Sequence, residues 1–489
     1  MERRTPRVRE YPFGSARRRM STLHRRPDGT CIAYVKGSPE AVMEVVAWLR
    51  RGGSVAPVTG PDRSAIEDAA DAMARLGLRV MALAARDVGS TVPASAAEVE
   101  RDLEFLGLVG LEDPIRPEVE PALRACGRAG IRVVMITGDH PATARSVADA
   151  VGLPGRRVVL GSELPEDERA LRAVIEEPDV GVLARVAPEQ KLRIARALQS
   201  AGAIVAMTGD GVNDAPALRQ ADIGVAMGAS GTDVAREAAD LILLDDSFAH
   251  IVDAVEEGRA AFDNIRKFLT YHLTDNVAEL APFAVWALSG GRIPLMLSVL
   301  QVLALDIGTD LLPALALGAE RPEAAAMERA PRPPGEHLLS RHVLARAFGF
   351  LGPIEAALSM AMLPVGAAIV DGWLPGAPLP SGSALDVLSA AVFAAIVCMQ
   401  MANAFACRSD PASLVSIGPL TNRLLLAAVG VELVLLLGFL YVPGLSAVIG
   451  NGPVPAELWI PIVVTPFALL AAEEGRKAMV RRRVPADAG

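Results

Sequence analysis

The sequence TGDGVNDAPAL runs from Thr208 to Leu218, directly after the apolar run Ile204–Met207, which is typical of a buried strand. Two carboxylates, an amide and two glycines at the carboxyl end of a strand suit a hard cation beside a phosphate. Mg²⁺ binds through one or two carboxylates together with phosphate oxygens and water, and glycine lets a ligand approach the backbone closely. A shorter DGxND sequence is also compatible with an Asx- and glycine-rich turn, whereas the whole undecapeptide indicates a Mg²⁺ and phosphate site.

Further apolar, β-rich runs surround this motif, with helical stretches between them. They are Val133–Ile136, Val180–Leu183, Ile223–Val225 and Leu241–Leu244. Alternating strands and helices predict a parallel sheet whose ligands lie at the carboxyl ends of the strands.

Two more motifs follow these strands. In MITGD (135–139) the hydroxyl of Thr137 and the following amides suit phosphate oxygens, although the motif alone is equally typical of an ordinary turn. In ARVAPEQK (184–191) Lys191 opens a helix. It is either a surface lysine or the fixed cation that phosphoryl transfer needs near the oxygens.

The composition of the 489-residue chain excludes several classes. With 51% hydrophobic and 21% charged residues, it is too apolar for a purely soluble enzyme and too charged for a purely membrane-embedded chain. This composition also excludes a disordered, a collagen-like and a disulfide-rich protein. The net charge of −9 argues against a nucleic-acid partner. The four cysteines are far apart without a CxxC pair, so we expect reduced thiols and no zinc site.

Long apolar runs dominate the chain from about residue 265. A bilayer core about 30 Å thick needs about 20 apolar residues per helix. Six runs qualify: Phe268–Ser289, Ile293–Leu317, Val343–Val370, Leu385–Cys407, Leu424–Val442 and Leu458–Ala472. A large buried helical core is the alternative. Basic residues concentrate in the loops on the side of residues 1–262, which predicts a multi-pass protein of the cell membrane with its N-terminal soluble part and its C-terminus in the cytoplasm. The N-terminal arginines precede no apolar segment and do not form a signal peptide.

Acidic residues interrupt the first two apolar runs. Asp275 and Glu279 are four residues apart and so share a helix face, and Asp306 and Asp310 repeat this spacing. Ionisable groups within a bilayer are costly and are functional candidates. Clustered carboxylates cannot all stay ionised without a cation or bound protons. This predicts a site that takes up cations, and a hydrogen-bonded helix-packing network is the alternative. Polar residues on later helices suit either reading: Gln400, Asn403 and Glu432.

Together with DPIR (113–116) and KGSPE (36–40), these motifs resemble the P-type cation-transporting ATPases, of the type II calcium or sodium/potassium kind. The resemblance implies an α/β fold: a partial α+β nucleotide-binding domain (1–108) and a haloacid-dehalogenase-like Rossmann phosphorylation domain (109–262), incomplete here. A bundle of six transmembrane helices (263–475) and a basic cytoplasmic tail (476–489) follow.

The resemblance also implies ATP and Mg²⁺ as cofactors and assigns roles to matching positions. The residues that it implies as nucleotide contacts are Phe13, Lys36, Gly37, Arg79, Thr137, Gly138, Asp139 and Arg185. The residues that it implies as catalytic are Thr137, Lys191, Asp210, Asn213 and Asp214, of which Asp210 would bind Mg²⁺. The transported cation is assigned to Asn276, Glu279, Asp306, Thr309 and Asp310, with Asp275, Asn403 and Glu432 as further candidates.

The sequence departs from the family at its nucleophile, the aspartate of an Asp-Lys-Thr-Gly-Thr motif. None of the four lysines follows an aspartate. Carboxylate phosphorylation needs that carboxylate, so we expect no phosphoenzyme from this chain alone. The actuator domain with its Thr-Gly-Glu loop and the first four membrane helices have no counterpart either. We therefore expect the chain to be the C-terminal portion of such a pump. Its phosphorylation sheet should lack the central strand, which would leave an apolar slot and unpaired backbone groups.

Three functions fit these features. The first is ATP-driven transport of Ca²⁺ or Na⁺/K⁺, with proton counter-transport, by this chain in a lipid bilayer together with a separate N-terminal half. The second is a non-catalytic nucleotide- and cation-binding membrane subunit or a truncated gene product. The third, a membrane-tethered haloacid-dehalogenase-type phosphatase, lacks the nucleophile that such an enzyme needs.

Overall fold

A computed structural model of the chain describes residues 5–51, 53–112 and 114–483. Asp113 of the DPIR segment and residues 484–489 of the expected basic tail lie outside the described residues. The chain forms two compact units. The first extends to Asp253 and includes Met327–Pro331, and the second comprises Ala254–Ala326 and the residues from Arg332 onward.

A seven-stranded sheet forms the N-terminal part of the first unit, in the order β1-β2-β3-β6-β7-β4-β5. Its strands are β1 (Arg7–Gly14), β2 (Arg19–Arg25), β3 (Cys31–Gly37), β4 (Val46–Arg51), β5 (Ser54–Pro57), β6 (Arg79–Gly89) and β7 (Leu103–Leu111). Its helices are α1 (Pro39–Met43), α2 (Gly60–Arg75) and α3 (Ala96–Val99). All neighbouring strands are antiparallel except the parallel pair of β4 and β7.

The rest of the first unit contains two separate parallel sheets of three strands, in the orders β8-β10-β9 and β11-β12-β13. The strands are β8 (Met135–Ile136), β9 (Arg157–Leu160), β10 (Val180–Ala184), β11 (Ala206–Gly209), β12 (Ile223–Met227) and β13 (Leu241–Leu243). The helices between them are α4 (Val119–Arg128), α5 (Pro141–Ala150), α6 (Glu168–Glu176), α7 (Pro188–Gln199), α8 (Ala215–Gln220) and α9 (Asp233–Ala238).

Strand β11 differs in position from the strand expected at Ile204–Met207. The backbone N–H of Val205 donates to the side chain of Asp222 at 2.8 Å, and the carbonyl of Val205 accepts from the N–H of Asp222 at 2.9 Å. Regular pairing with β12 therefore begins only at Ala206 and continues to Gly209. The first two residues of TGDGVNDAPAL consequently belong to the strand.

Helices build the second unit. They are α10 (Ala249–Leu288, which starts in the first unit), α11 (Val299–Ala304), α12 (Leu311–Gly318), α13 (Arg341–Arg346), α14 (Gly352–Asp371), α15 (Ser383–Cys407), α16 (Leu414–Ile417), α17 (Arg423–Tyr441), α18 (Pro443–Ile449) and α19 (Ala456–Arg483). Two π-helical segments, Leu305–Asp310 and Ala347–Leu351, join α11 to α12 and α13 to α14. Helix α15 is the most buried of the long helices and contributes much of the core.

Five segments within the described residues are long and apolar enough to cross a membrane: Val299–Gly318, Arg341–Asp371, Ser383–Cys407, Arg423–Tyr441 and Ala456–Arg482. They correspond to the second to sixth expected runs. The first expected run, Phe268–Ser289, lies within α10 except for its last residue and is not among them, so a count of six is not confirmed. Polar residues such as His272, Asp275, Asn276 and Glu279 lower the apolar character of that part of the helix.

Candidate functional site

A cleft of about 1030 Å³ opens in the first unit between the seven-stranded sheet and the parallel sheets. This volume suits a small-molecule ligand of nucleotide size. The cleft brings together most of the expected nucleotide and catalytic residues: Phe13, Lys36, Gly37, Arg79, Gly138, Asp139, Arg185, Lys191, Asp210, Asn213 and Asp214. Thr137 lies next to this group rather than in the lining, where its hydroxyl donates to Asp139 Oδ2 at 3.0 Å.

Strand β3 contains Lys36 and Gly37, the first two residues of the KGSPE motif, and its residues alternate between buried and more exposed positions. Cys31, Ala33, Val35 and Gly37 are buried, whereas Lys36 is exposed. Gly37 pairs with Arg19 of β2, and a Cβ at position 37 would lie 2.5 Å from the Arg19 Cβ. Only glycine therefore fits at this close contact.

Phe13 near the end of β1 is 63% exposed, an unusual environment for a large apolar side chain. Its exposed ring lines the cleft and offers an apolar face to a flat ligand. This arrangement suits the adenine-stacking role that the resemblance implies.

Lysine and aspartate form an ion pair on the opposite wall. Lys191 Nζ lies 2.6 Å from Asp214 Oδ1, and the backbone N–H of Gly211 donates to Asp214 Oδ2 at 3.3 Å. A Cβ at Gly209 would lie 2.5 Å from the Cβ of Asp214, so this glycine permits the approach. Asp210, in contrast, is exposed, and its backbone carbonyl accepts from the N–H of Thr232 at 2.8 Å. Its carboxylate is thus available to Mg²⁺ beside a phosphate, as hard-cation chemistry requires.

A second ion pair joins the two walls. Arg185 Nη2 lies 3.1 Å from Glu40 Oε1, and Arg185 adopts a positive φ of 53°. Left-handed backbone is costly for a residue other than glycine and concentrates at functional sites. Partial burial acts to raise the pKa of Glu40, but its own backbone N–H, Ser38, Arg185 and His140 together hold that pKa below its usual range. Neither Glu40 nor His140 was among the expected site residues, although KGSPE contains the glutamate.

The second unit gathers the expected membrane carboxylates around α15. Gln400 bridges one of these carboxylates and a hydroxyl, because its Nε2 donates to Glu279 Oε1 at 3.1 Å and its Oε1 accepts from Thr309 Oγ1 at 3.0 Å. Asn403 Nδ2 donates to Asp275 Oδ1 at 2.8 Å. Glu279, Thr309 and Asp275 are buried. These contacts connect α10, the π segment Leu305–Asp310 and α15 in one polar network.

Three other expected residues occupy different environments. Asp306 is half-buried beside Glu279. Asn276 is exposed, and its Nδ2 donates to the carbonyl of His272 at 2.9 Å, so this conformation directs it away from the buried network. Glu432 on α17 is buried, and neither of its carboxylate oxygens has a hydrogen-bond partner among the residues that the structure describes.

Two residues of this network were not predicted. His272 hydrogen-bonds Asp310, and Glu355 on α14 is fully buried. The signal for Glu355 was present in the sequence, since it is an ionisable residue inside an apolar run. Among the residues that the structure describes, no group of three or more His, Cys, Asp or Glu side chains is spaced to hold a metal ion.

Two family models match the chain. One is described as "P-type ATPase, cytoplasmic domain N" and matches residues 1–118. The other, "Cation transporting ATPase, C-terminus", matches residues 294–479. The first contains the Phe13 and Lys36 side of the cleft. The second contains the five membrane-capable segments except the last three residues of the fifth.

Curated relatives agree with these models. A calcium-transporting ATPase of Bacillus subtilis is 38% identical over 463 residues, which cover 93% of this chain and 50% of that protein. Calcium-transporting ATPase 1 of Yarrowia lipolytica is 35% identical over 98% of this chain and 50% of its own length. The human sodium/potassium-transporting ATPase subunit alpha-4 is 37% identical over 73% of this chain and 38% of its own length. The chain spans about half the length of the curated relatives it matches, and it belongs to the P-type cation-transporting ATPase family.

Proposed function

We propose that this chain performs ATP-driven cation transport across a membrane. It would supply the nucleotide cleft and the membrane carboxylates, while the aspartate that accepts the phosphoryl group would come from a separate N-terminal half. The observation that carries this proposal is the cleft itself, in which Phe13 and Lys36 face the Lys191–Asp214 pair and Asp210. One wall suits a nucleobase and the other suits Mg²⁺ and phosphate oxygens.

Each side chain of the cleft has a defined task in this proposal. Phe13 stacks on the base, and Lys36 and Arg79 attract the phosphates. Asp210 binds Mg²⁺, and Asn213 and Asp214 support it. Lys191, held by Asp214 at 2.6 Å, neutralises charge on the phosphoryl group during transfer.

The need for a partner strand rests on the two separate parallel sheets. A haloacid-dehalogenase-like phosphorylation domain is built around one continuous parallel sheet. Here Ile204, just before β11, is 70% exposed, and β8 contains only two residues. Exposed apolar residues at an unpaired strand edge favour pairing with another strand. The strand that ends in the nucleophilic aspartate would fill this place.

In the membrane, we propose six spans, with Phe268–Ser289 of α10 as the first. The cation would bind at Glu279, Asp306, Thr309 and Asp310, with Asp275, Asn276, Asn403 and Glu432 nearby. The relatives' names include calcium and sodium/potassium transport, so Ca²⁺ or Na⁺/K⁺ are the cations we propose, with protons as counter-ions. The chain would lie in the cell membrane with the nucleotide cleft and the C-terminus in the cytoplasm.

Equilibrium binding of radiolabelled ATP to the full chain in lipid nanodiscs tests the nucleotide half of this proposal. We expect ATP to bind more tightly with Mg²⁺ than with EDTA. Asp210→Asn should remove this Mg²⁺ dependence, and Phe13→Ala should weaken binding under both conditions. Asp253→Asn, an exposed acid of α10, serves as the control. Equal binding by the wild-type chain and by Asp210→Asn in Mg²⁺ and in EDTA would contradict the proposal.

A non-catalytic nucleotide- and cation-binding subunit is the second candidate, because no lysine in the sequence follows an aspartate. Co-expression with N-terminal halves of related pumps separates the two. Transport predicts Mg²⁺-dependent, cation-stimulated ATP hydrolysis by the complex. A subunit without catalysis predicts ligand binding but no hydrolysis with any partner.

A further inference from the structure

Helix α14 approaches α10 at a position defined by one glycine. A Cβ at Gly352 would lie 2.7 Å from the Cβ of Val277, so the backbone of α14 packs directly against this side chain of α10. Gly352 directly follows the π-helical segment Ala347–Leu351, and such segments occur frequently at functional sites. Glu355 is three residues further along, and residues three apart share a helix face. The same contact that joins the helices therefore directs Glu355 toward α10.

The carboxyl groups of Glu355 and of Asp275 on α10 interact electrostatically. Asp310 and Glu432 are close enough to interact with Glu355 electrostatically. Four helical segments thus each contribute an acidic residue to one region: α10, α14, α17 and the π segment that ends at Asp310.

Glu355 differs from an ordinary buried polar residue because none of the described residues donates a hydrogen bond to its carboxylate. Its side chain is fully buried, and in the described part of the chain neither carboxylate oxygen receives a hydrogen bond from a donor. One oxygen each of Asp275 and Asp310 likewise has no hydrogen-bond partner within the described ranges. Burying such groups without partners is costly. A hard cation would satisfy them, since Ca²⁺ and Na⁺ both bind through carboxylate oxygens.

We propose that Glu355 is a further cation-binding residue of the membrane site. The carboxylate oxygens of Glu355 and of Asp275 would bind the same hard cation. This inference rests on the proposed transport function. It extends the site to α14, which contributes none of the residues expected from the sequence. One more carboxylate raises the negative charge of the site, which favours a divalent cation or more than one monovalent cation.

Equilibrium binding of ⁴⁵Ca²⁺ and of ²²Na⁺ to the full chain in lipid nanodiscs tests this inference. Glu355→Gln keeps the shape of the side chain and removes its charge. We expect it to lower the affinity for the bound cation about tenfold or more, as loss of a group that shapes a metal site does. Glu355→Asp should recover part of that affinity. Ser359→Ala, which alters a buried residue one turn further along α14, is the matched control and should bind as the wild type does.

The outcomes separate this inference from the proposed function. If Glu279→Gln and Asp310→Asn abolish binding while Glu355→Gln stays within twofold of the wild type, the role of Glu355 is wrong and the transport site stands. If Ser359→Ala loses as much affinity as Glu355→Gln, the effect comes from helix packing and the inference is again overturned. If the wild-type chain binds neither cation, both the inference and the proposed transport site fail.

Discussion

Asp246 shows how one residue holds a loop beside β12 and β13 in place. It adopts a left-handed φ of 59°, is buried, and accepts hydrogen bonds from the backbone N–H groups of Ala229 and Ser230 at 2.9 Å each. Arg116 donates to its backbone carbonyl. The bonds from Ser230 and Ala229, helped by the charge of Arg116, outweigh burial and hold the pKa of Asp246 below its ordinary value of 3.8.

This lowered pKa predicts a pH-dependent stability. The folded carboxyl group binds its proton less tightly than the unfolded one, so its contribution is present above pH 3.8 and is lost as the pH falls through the lower folded value. We expect Asp246→Asn to reduce the loss of protection at acidic pH, measured by hydrogen exchange of peptides spanning 223–246 and corrected for intrinsic rates. Asp253→Asn should behave as the wild type, and an unchanged acid response in Asp246→Asn would refute this assignment.

Lys191 pairs with Asp214 in the cleft, and this ion pair predicts a role in phosphate binding. Replacing Lys191 by glutamine removes the positive charge beside Asp214, and hydrogen bonds between charged groups contribute about 1.5–3 kcal/mol. We therefore expect Lys191→Gln to weaken binding of MgATP about tenfold or more in the same nanodisc assay. Arg196→Gln, on the same helix but bonded to Gln220, is the control. Equal affinities of both variants would exclude a phosphate-binding role for Lys191.

At the scale of the elements, the pair of strands β2 and β3 depends on Gly37. A Cβ there would lie 2.5 Å from the Arg19 Cβ and 2.6 Å from the carbonyl oxygen of Arg18, neither of which is a flexible side-chain end. Overpacking of this kind costs about 1–3 kcal/mol. We expect Gly37→Ala to destabilise the first unit by this amount and to weaken nucleotide binding, whereas Gly60→Ala, where a Cβ meets no described atom within 4 Å and φ is not positive, should leave nucleotide binding unchanged. Denaturant titration followed by pulse proteolysis measures the difference.

The elements also show what the sequence could and could not predict. Five parallel strands were located near their true positions because each is a short apolar run, and three of them precede the cleft motifs. Their ends were missed where a side chain replaces a strand partner, as Asp222 does at Val205. The register of the seven-stranded sheet depends on contacts distant in sequence. The two π segments depend on packing, as at Gly308, where a Cβ would meet the ring of Phe439 at 3.3 Å.

The site was predictable to a similar extent. Motifs with fixed spacing predicted side chains that line the cleft, such as Lys191 and Asp210, because these motifs directly follow strands. Glu40 was missed because its role depends on Arg185, which is 145 positions away along the chain. His272 and Glu355 were missed because neither belongs to a spaced pair of acids. Their place in the polar network depends on how α10 and α14 pack against the other helices of the second unit, which the sequence pattern does not specify.

At the scale of the whole molecule, the unpaired edges of β8 and β11 should distinguish the isolated chain from an assembled pump. Exposed edges leave backbone N–H groups to solvent, so we expect weak hydrogen-exchange protection of residues 204–209 in the chain alone. Co-expression with an N-terminal half should raise this protection, while peptides from the buried strand β10 stay unchanged. Full protection of residues 204–209 in the chain alone would contradict the proposal of a missing strand.

We propose that nucleotide chemistry near Asp210 drives cation movement at Glu279 and Asp310. This coupling is tested by measuring cation-stimulated ATP hydrolysis by this chain assembled with an N-terminal half in sealed vesicles, with Ca²⁺ and with Na⁺ and K⁺. We predict stimulation in the wild-type complex and its loss in the double variant Glu279→Gln and Asp310→Asn, which should still bind MgATP as the wild type does. Undiminished stimulation after both acids are neutralised would contradict the claim.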